Sequence, residues 1–326
     1  MESRSHAFAL RRRGPVGPLC GLVAALALAG ALGPRPALGF ALYPSVGGTA
    51  TDALSAAARW NDGPDPFGRG TGLHDGVSVA VEPDFAAHLG IEAPSEVALL
   101  EQAVVGAFAA WESPVLGFDI DLDGGTQRGE QPGLGAEIDV FAVPEDDSVF
   151  LGTNFFGRAV VAWEWAATRQ LSNGQETSGL VILGVDLFIN IDAVSLFRQI
   201  IPNPADQAVA LRRLLMHEIG HGIGLGHGND TNLSFFDTDS DPFNDVVVDP
   251  LDPFAGLDFS DVRDDMAIMS NCRTCGLEML FFNALRNDDR AGRDVLYPSL
   301  VPEPGTASLL GLALGALAWC GRGCRR

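Results

Sequence analysis

The spacing of apolar positions along the chain reads as short strands interleaved with two long helices. Val77-Ser78-Val79-Ala80-Val81 alternates with a period of two, as a half-buried strand does. Pro94-Ser95-Glu96 then opens a helix in which Val97, Leu100, Val104, Phe108 and Trp111 keep helical spacing. Phe118, Ile120 and Leu122 alternate again, and 136–143 and 158–163 read as further strands. Residues 179–190 form a strand-rich run of branched and aromatic residues, which an edge strand and a buried core strand would share. Asn203-Pro204-Ala205-Asp206 supplies a helix cap, a proline at the first helical position and an acid in the first turn. Leu211, Leu215 and Ile219 give that second helix its core face. Two stretches lack periodicity. Residues 40–75 are irregular apart from a short helix expected over Asp52–Trp60, and 228–265 form a long acidic loop.

The two ends read as processing segments rather than fold. Residues 1–39 carry Arg4 and Arg11-Arg12-Arg13, an apolar run from Leu19 to Leu32, and Ala37-Leu38-Gly39 before Phe40, the layout of a secretory signal. A retained membrane helix competes, but the run falls short of the ~20 residues a span needs. At the other end, Pro302-Glu303-Pro304 precedes an apolar run from Thr306 to Trp319 and then Arg322, Arg325 and Arg326. With both ends set aside, thirteen arginines face forty acids, a formal charge of about −27. Such a surface is a poor partner for nucleic acid or anionic lipid. Calcium suits it better, because clustered carboxylates repel one another unless a hard cation sits between them. Asp237, Asp239, Asp241 and Asp245 in the acidic loop form one such cluster, with a merely solvated loop as the alternative. Asp119, Asp121, Asp123, Gly124 and Glu130 satisfy the EF-hand loop pattern. The flanking alternation and the Pro132 that follows argue for a strand there instead. Cys272 and Cys275 are the only cysteines outside the two ends, spaced for a small disulfide loop or left as thiols or metal ligands.

Chemistry concentrates in His217-Glu218-Ile219-Gly220-His221-Gly222-Ile223-Gly224-Leu225-Gly226-His227, which holds three of the six histidines. On a helix, residues four apart project about 40° from one another, so His217 and His221 present two imidazoles to one ion. Glu218, turned about 100° from His217, is placed to reach a metal-bound water rather than the metal. Gly224 ends the helix, since glycine takes positive φ without strain, and the reversed chain brings His227 back as a third ligand. Three histidines with one position left open describe a catalytic Zn2+ site, whereas a structural site is closed by a fourth protein ligand.

This spacing, H-E-x-x-H-x-x-G-x-x-H, resembles the metzincin zinc metallopeptidases, matrixin-like in character. Met269 in Met266-Ala-Ile-Met-Ser270 matches their Met-turn, and Asn287 to Pro298, with its Leu296-Tyr297 end, resembles their closing helix. The resemblance implies an α+β fold: a mixed twisted sheet with an edge substrate-binding strand at 179–190, two long helices, and a C-terminal subdomain with the Met-turn and closing helix. The implied map is a signal peptide over 1–39, an irregular leading segment over 40–75, a metallopeptidase domain over 76–298 and a sorting or anchor segment over 299–326. The implied activity is peptide-bond hydrolysis, with Glu218 as general base, acting on a protein or peptide substrate. A surface or extracellular-matrix protein using the same scaffold for binding is the competing reading. The C-terminal layout resembles the PEP-CTERM sorting signal, which implies an exosortase-type partner and export to the envelope, surface or matrix of a Gram-negative bacterium. A plain C-terminal anchor or an unstructured end are the alternatives. Three family features are missing: a tyrosine directly following the Met269 turn, the histidines of the matrixin structural zinc site, and a propeptide cysteine.

Overall fold

The computed structural model describes residues 41–42, 57–62, 72–73, 76–128, 135–150, 156–226, 236–237, 268–269, 284–285 and 287–298. Its elements are β1 (Ala41–Leu42), β2 (Val77–Val81), α1 (Phe85–His88), α2 (Pro94–Trp111), β3 (Phe118–Asp121), β4 (Ile138–Val143), β5 (Gly157–Gln170), β6 (Glu176–Asn190), α3 (Ile191–Ile200), α4 (Pro204–Gly222), β7 (Phe236–Asp237) and α5 (Asn287–Leu296). Five strands make one mixed sheet in the order β3-β2-β4-β6-β5, all parallel except β5. β1 and β7 form a separate antiparallel pair.

Alternation along the strands sorts side chains to the two faces. Ile138, Val140, Val185, Leu187 and Ile189 join the main core, where α2 contributes Leu100, Val104, Phe108 and Trp111 and α4 contributes Leu211, Leu215 and Ile219. The helical spacing read from the sequence therefore marks the buried stripes of both long helices. On the opposite face Phe141, Val143 and Phe188 pack with Phe150 in a small second cluster, the Phe141 and Phe188 rings stacked 5.4 Å apart.

The stretch expected at the edge lies inside the sheet. β6 is paired on both sides, parallel to β4 and antiparallel to β5, and is buried along most of its length. The antiparallel edge strand is β5, which runs well beyond the expected 158–163 and is interrupted by two register shifts. A continuous apolar run is what burial on both faces selects, whereas β5 mixes exposed and buried positions along its length. β3 likewise settles the EF-hand pattern: a strand leads into its aspartates, where that motif needs a helix. Glu130 lies outside the described residues.

The described part of the leading segment at 57–62 is built into the domain. Residues 57–60 are not helical: Arg59 makes a parallel bridge to Val181 within β6. Ala57, Ala58 and Trp60 are buried in the main core. Arg59 Nη1 donates to Leu296 O (3.0 Å), while Tyr297 Oη accepts from Trp60 N (3.3 Å) and donates to Ile223 O (2.7 Å). Helix propensity at Ala57-Ala58 yields here to tertiary packing, and residues 52–56 of the expected helix lie outside the described residues.

Asp139 and Asp186 are register partners on β4 and β6, both buried on the face away from the long helices. Burial raises the Asp139 carboxyl to about 6; the Ala136 and Gln127 backbone N–H groups pull it down, and the Asp186 charge adds to the rise. Because the folded value lies above the unfolded one, the stability carried by protonated Asp139 is complete below its ordinary value near 4 and is lost as pH rises through 6. The thermal midpoint should therefore fall between about pH 4 and pH 6, this group contributing about 3 kcal/mol at most over the whole window. Asp139→Asn should flatten that slope, and an unchanged slope in melts across this range would contradict it.

Candidate metal centre

α4 brings the motif together. Asn203 caps it, its side chain accepting from Ala205 N (3.1 Å), and Pro204 starts the first turn. At the other end Gly224 takes φ +99°, its N–H bonds to His221 O (3.0 Å), and Leu225 N–H reaches back to Gly220 O (2.9 Å). This is the Schellman closure, and it turns the chain sharply after Gly222. A side-chain carbon on Gly224 would meet Ala58 O at 2.1 Å, so the buried leading segment also requires glycine there.

His217 and His221 stand together on one side of α4, ring centroids 4.9 Å apart and nearly perpendicular. Each ring is anchored by a backbone carbonyl: His217 Nδ1 donates to Ile268 O (2.7 Å) and His221 Nδ1 donates to Leu225 O (2.8 Å). A carbonyl only accepts, so both rings carry their proton on Nδ1 and present Nε2 as the ligating atom. Burial lowers the His221 pKa, which favours the neutral imidazole a metal needs, against the raising effect of the Leu225 carbonyl. The pair thus fits a divalent ion such as zinc in atom type, tautomer and charge. Among the described residues no third His, Cys, Asp or Glu completes a metal-binding group. His227 lies outside them, as do Asp239, Asp241, Asp245, Cys272, Cys275, Pro302, Glu303 and Pro304; Asp237 is placed in β7 by its backbone.

Glu218 points to the sheet. It is buried, its carboxyl accepts from the Ala159 backbone N–H on β5, and a side-chain carbon on Gly157 would come within 3.0 Å of its Oε1. Desolvation raises this carboxyl to about 8, opposed by the Ala159 hydrogen bond and by the charge of Arg158. The edge strand therefore reaches the motif at Gly157–Ala159, with glycine where the carboxylate needs room. The strand at 158–163 was read from the sequence, but its contact with Glu218 was not.

Met269 lies against α4 at Gly220. A side-chain carbon on Gly220 would meet Met269 Sδ at 2.1 Å, which puts the sulfur against α4 between the two histidine turns. Trp111 closes the same spot from α2, its Nε1 donating to Met216 O (2.8 Å). The Ile268–Met269 backbone is held by two residues that sequence reasoning did not single out. Asp289 on α5, 2% exposed, accepts from Ile268 N (2.8 Å) and Met269 N (3.0 Å), and Arg213 Nη1 donates to Ile268 O (2.8 Å). Only the acid pair in Asn287-Asp288-Asp289 and the charge at Arg213 on an apolar helix face hinted at them.

Residues 300–326 match the PEP-CTERM protein-sorting motif. That motif implies processing by an exosortase and sorting to the cell surface in Gram-negative bacteria. No curated protein matches the chain significantly.

Asp289→Ala removes the acceptor of two buried N–H groups. Leaving them unsatisfied costs ~1–3 kcal/mol each. The urea midpoint should drop accordingly, and a midpoint equal to that of the parent protein would contradict the clamp.

Proposed function

We propose that the chain is an exported zinc endopeptidase. The observation that carries this reading is the placement of Glu218, a buried carboxylate between the two-histidine pair on α4 and the edge strand β5. A site that only binds metal has no use for such a group. In this reading His217, His221 and His227 hold the ion. Bound there, zinc would polarise the scissile carbonyl and acidify water at neutral pH.

The remaining work falls to the chain's own groups. Glu218 takes the proton of the attacking water and delivers it to the leaving amine. Ala159 N–H orients its carboxyl, and the lack of a side chain at Gly157 leaves the space for it. The outer edge of β5 takes an extended peptide as an added antiparallel strand, so that the bond to be cut lies beside Glu218. The Met269 sulfur and the Asp289–Arg213 clamp fix the floor on which the histidines stand. The sorting motif directs this activity to the cell envelope or surface. That motif equally suits a surface protein using the scaffold for binding, with catalysis incidental.

The two readings part at Glu218. Glu218→Gln should keep zinc content and thermal melting close to those of the parent while lowering cleavage of a quenched peptide library at least ~10²-fold, the low end for a general base. Undiminished cleavage by the folded, zinc-loaded variant would contradict the peptidase mechanism.

A further inference from the structure

The chain is fastened to the domain as far as Pro298, and the matched sorting motif begins at residue 300. Arg59 Nη1 holds the Leu296 carbonyl (3.0 Å), the buried Tyr297 hydroxyl accepts from Trp60 N and donates to Ile223 O, and Ser172 Oγ donates to Pro298 O (2.8 Å). Three consecutive residues are thus gripped by separate parts of the fold. Little chain remains beyond them. Only Ser299, Leu300 and Val301 separate Pro298 from Pro302-Glu303-Pro304. Fully extended, those four residue steps span at most ~14 Å. That is less than the ~17 Å radius of gyration expected for a folded domain of some 220 residues. An enzyme that handles Pro302-Glu303-Pro304 while the domain is folded therefore has to touch the domain.

The bond from Ser172 places that contact. Ser172 is buried in the turn that joins β5 to β6, closed by Leu171 N–H to Gln175 O (2.8 Å) and Gly174 N–H to Leu171 O (2.8 Å). Gly174 takes φ +78°, and its two neighbours satisfy one another: Asn173 Oδ1 accepts from Gln175 N (3.1 Å) while Asn173 Nδ2 donates to Gln175 Oε1 (3.2 Å). A turn braced in this way binds without an ordering cost. It is also free of negative charge. The chain carries a formal −21, yet no acid occurs between Trp165 and Gln175 or between Val295 and Val301. A second protein can approach this spot without the repulsion that the rest of so acidic a surface exerts.

We infer that the β5–β6 turn, Leu171–Gln175, with Pro298 beside it, is a docking surface for the exosortase that processes the sorting motif. The short tether imposes the contact, and the uncharged, braced turn accommodates it.

The test uses the full chain in a host that carries the sorting enzyme, with a photo-crosslinking amino acid in place of Gln175. A control probe replaces Glu145, which is exposed and lies beyond the opposite end of β6, where Val143 pairs with Asn190. Mass spectrometry should identify the enzyme on the probe at 175 at least ~5-fold more often than on the probe at 145. Gln175→Glu keeps the Oε1 acceptor for Asn173 but adds a charge, and should slow conversion of precursor to product about threefold. Inserting about twelve Gly/Ser residues between Pro298 and Ser299 should abolish that sensitivity, because the domain then no longer has to touch the enzyme. Equal capture at the two positions, lipid rather than enzyme on the probe at 175, or processing that ignores Gln175→Glu in a protein of unchanged melting would overturn the inference.

Discussion

The short turn Ile268–Met269 is the point on which the two-histidine end of α4 rests. Its two backbone N–H groups are taken by the Asp289 carboxylate, and its Ile268 carbonyl receives both Arg213 and His217. One two-residue turn thus links the closing helix, through its N–H groups, with the motif helix and one imidazole, through its Ile268 carbonyl. If the turn moved, His217 would lose the acceptor that fixes its tautomer, and Met269 would withdraw from Gly220. All the polar partners are buried or partly buried, where an unmet hydrogen bond is costly, so the arrangement has little freedom to drift.

A second set of contacts secures the far end of α4. Tyr297, just past α5, binds the Ile223 carbonyl and the Trp60 amide, and Arg59 returns to the carbonyl of Leu296. The leading segment, the helix terminus and the closing helix are therefore fastened to one another directly behind the turn at Gly224. Rigid support on both sides of a metal site is what keeps ligands within the narrow geometry that binding and catalysis need.

What could be read from the sequence follows the range of the interactions. α2 and α4 were legible because their first-turn prolines and apolar stripes are local, and the two-histidine face follows from the pitch of one helix. The order of strands is not local. Residues 179–190 and 158–163 both read as strands, and only the sheet shows that the first is interior and the second, extended to Gln170, is the edge. Ala57–Trp60 carried helical composition yet is drawn out along β6, because its partners Val181 and Tyr297 lie more than a hundred residues away. Asp289 and Gly157 were invisible for the same reason: each acts through an element distant in sequence, on Met269 in one case and on Glu218 in the other. The sorting motif lies at the opposite extreme, a contiguous segment whose meaning needs no fold at all.

In the proposed reading, α4 and the residues that follow it build a three-histidine zinc site with a position open to water. X-ray absorption at the zinc edge of the purified protein tests this most directly. One zinc is expected in a shell of nitrogen and oxygen only, with the multiple-scattering signature of about three imidazoles and metal–ligand distances of ~2.0–2.1 Å. A shell containing sulfur at ~2.3 Å, which would place the metal on Cys272 and Cys275 instead, or a protein that retains no zinc, would contradict it.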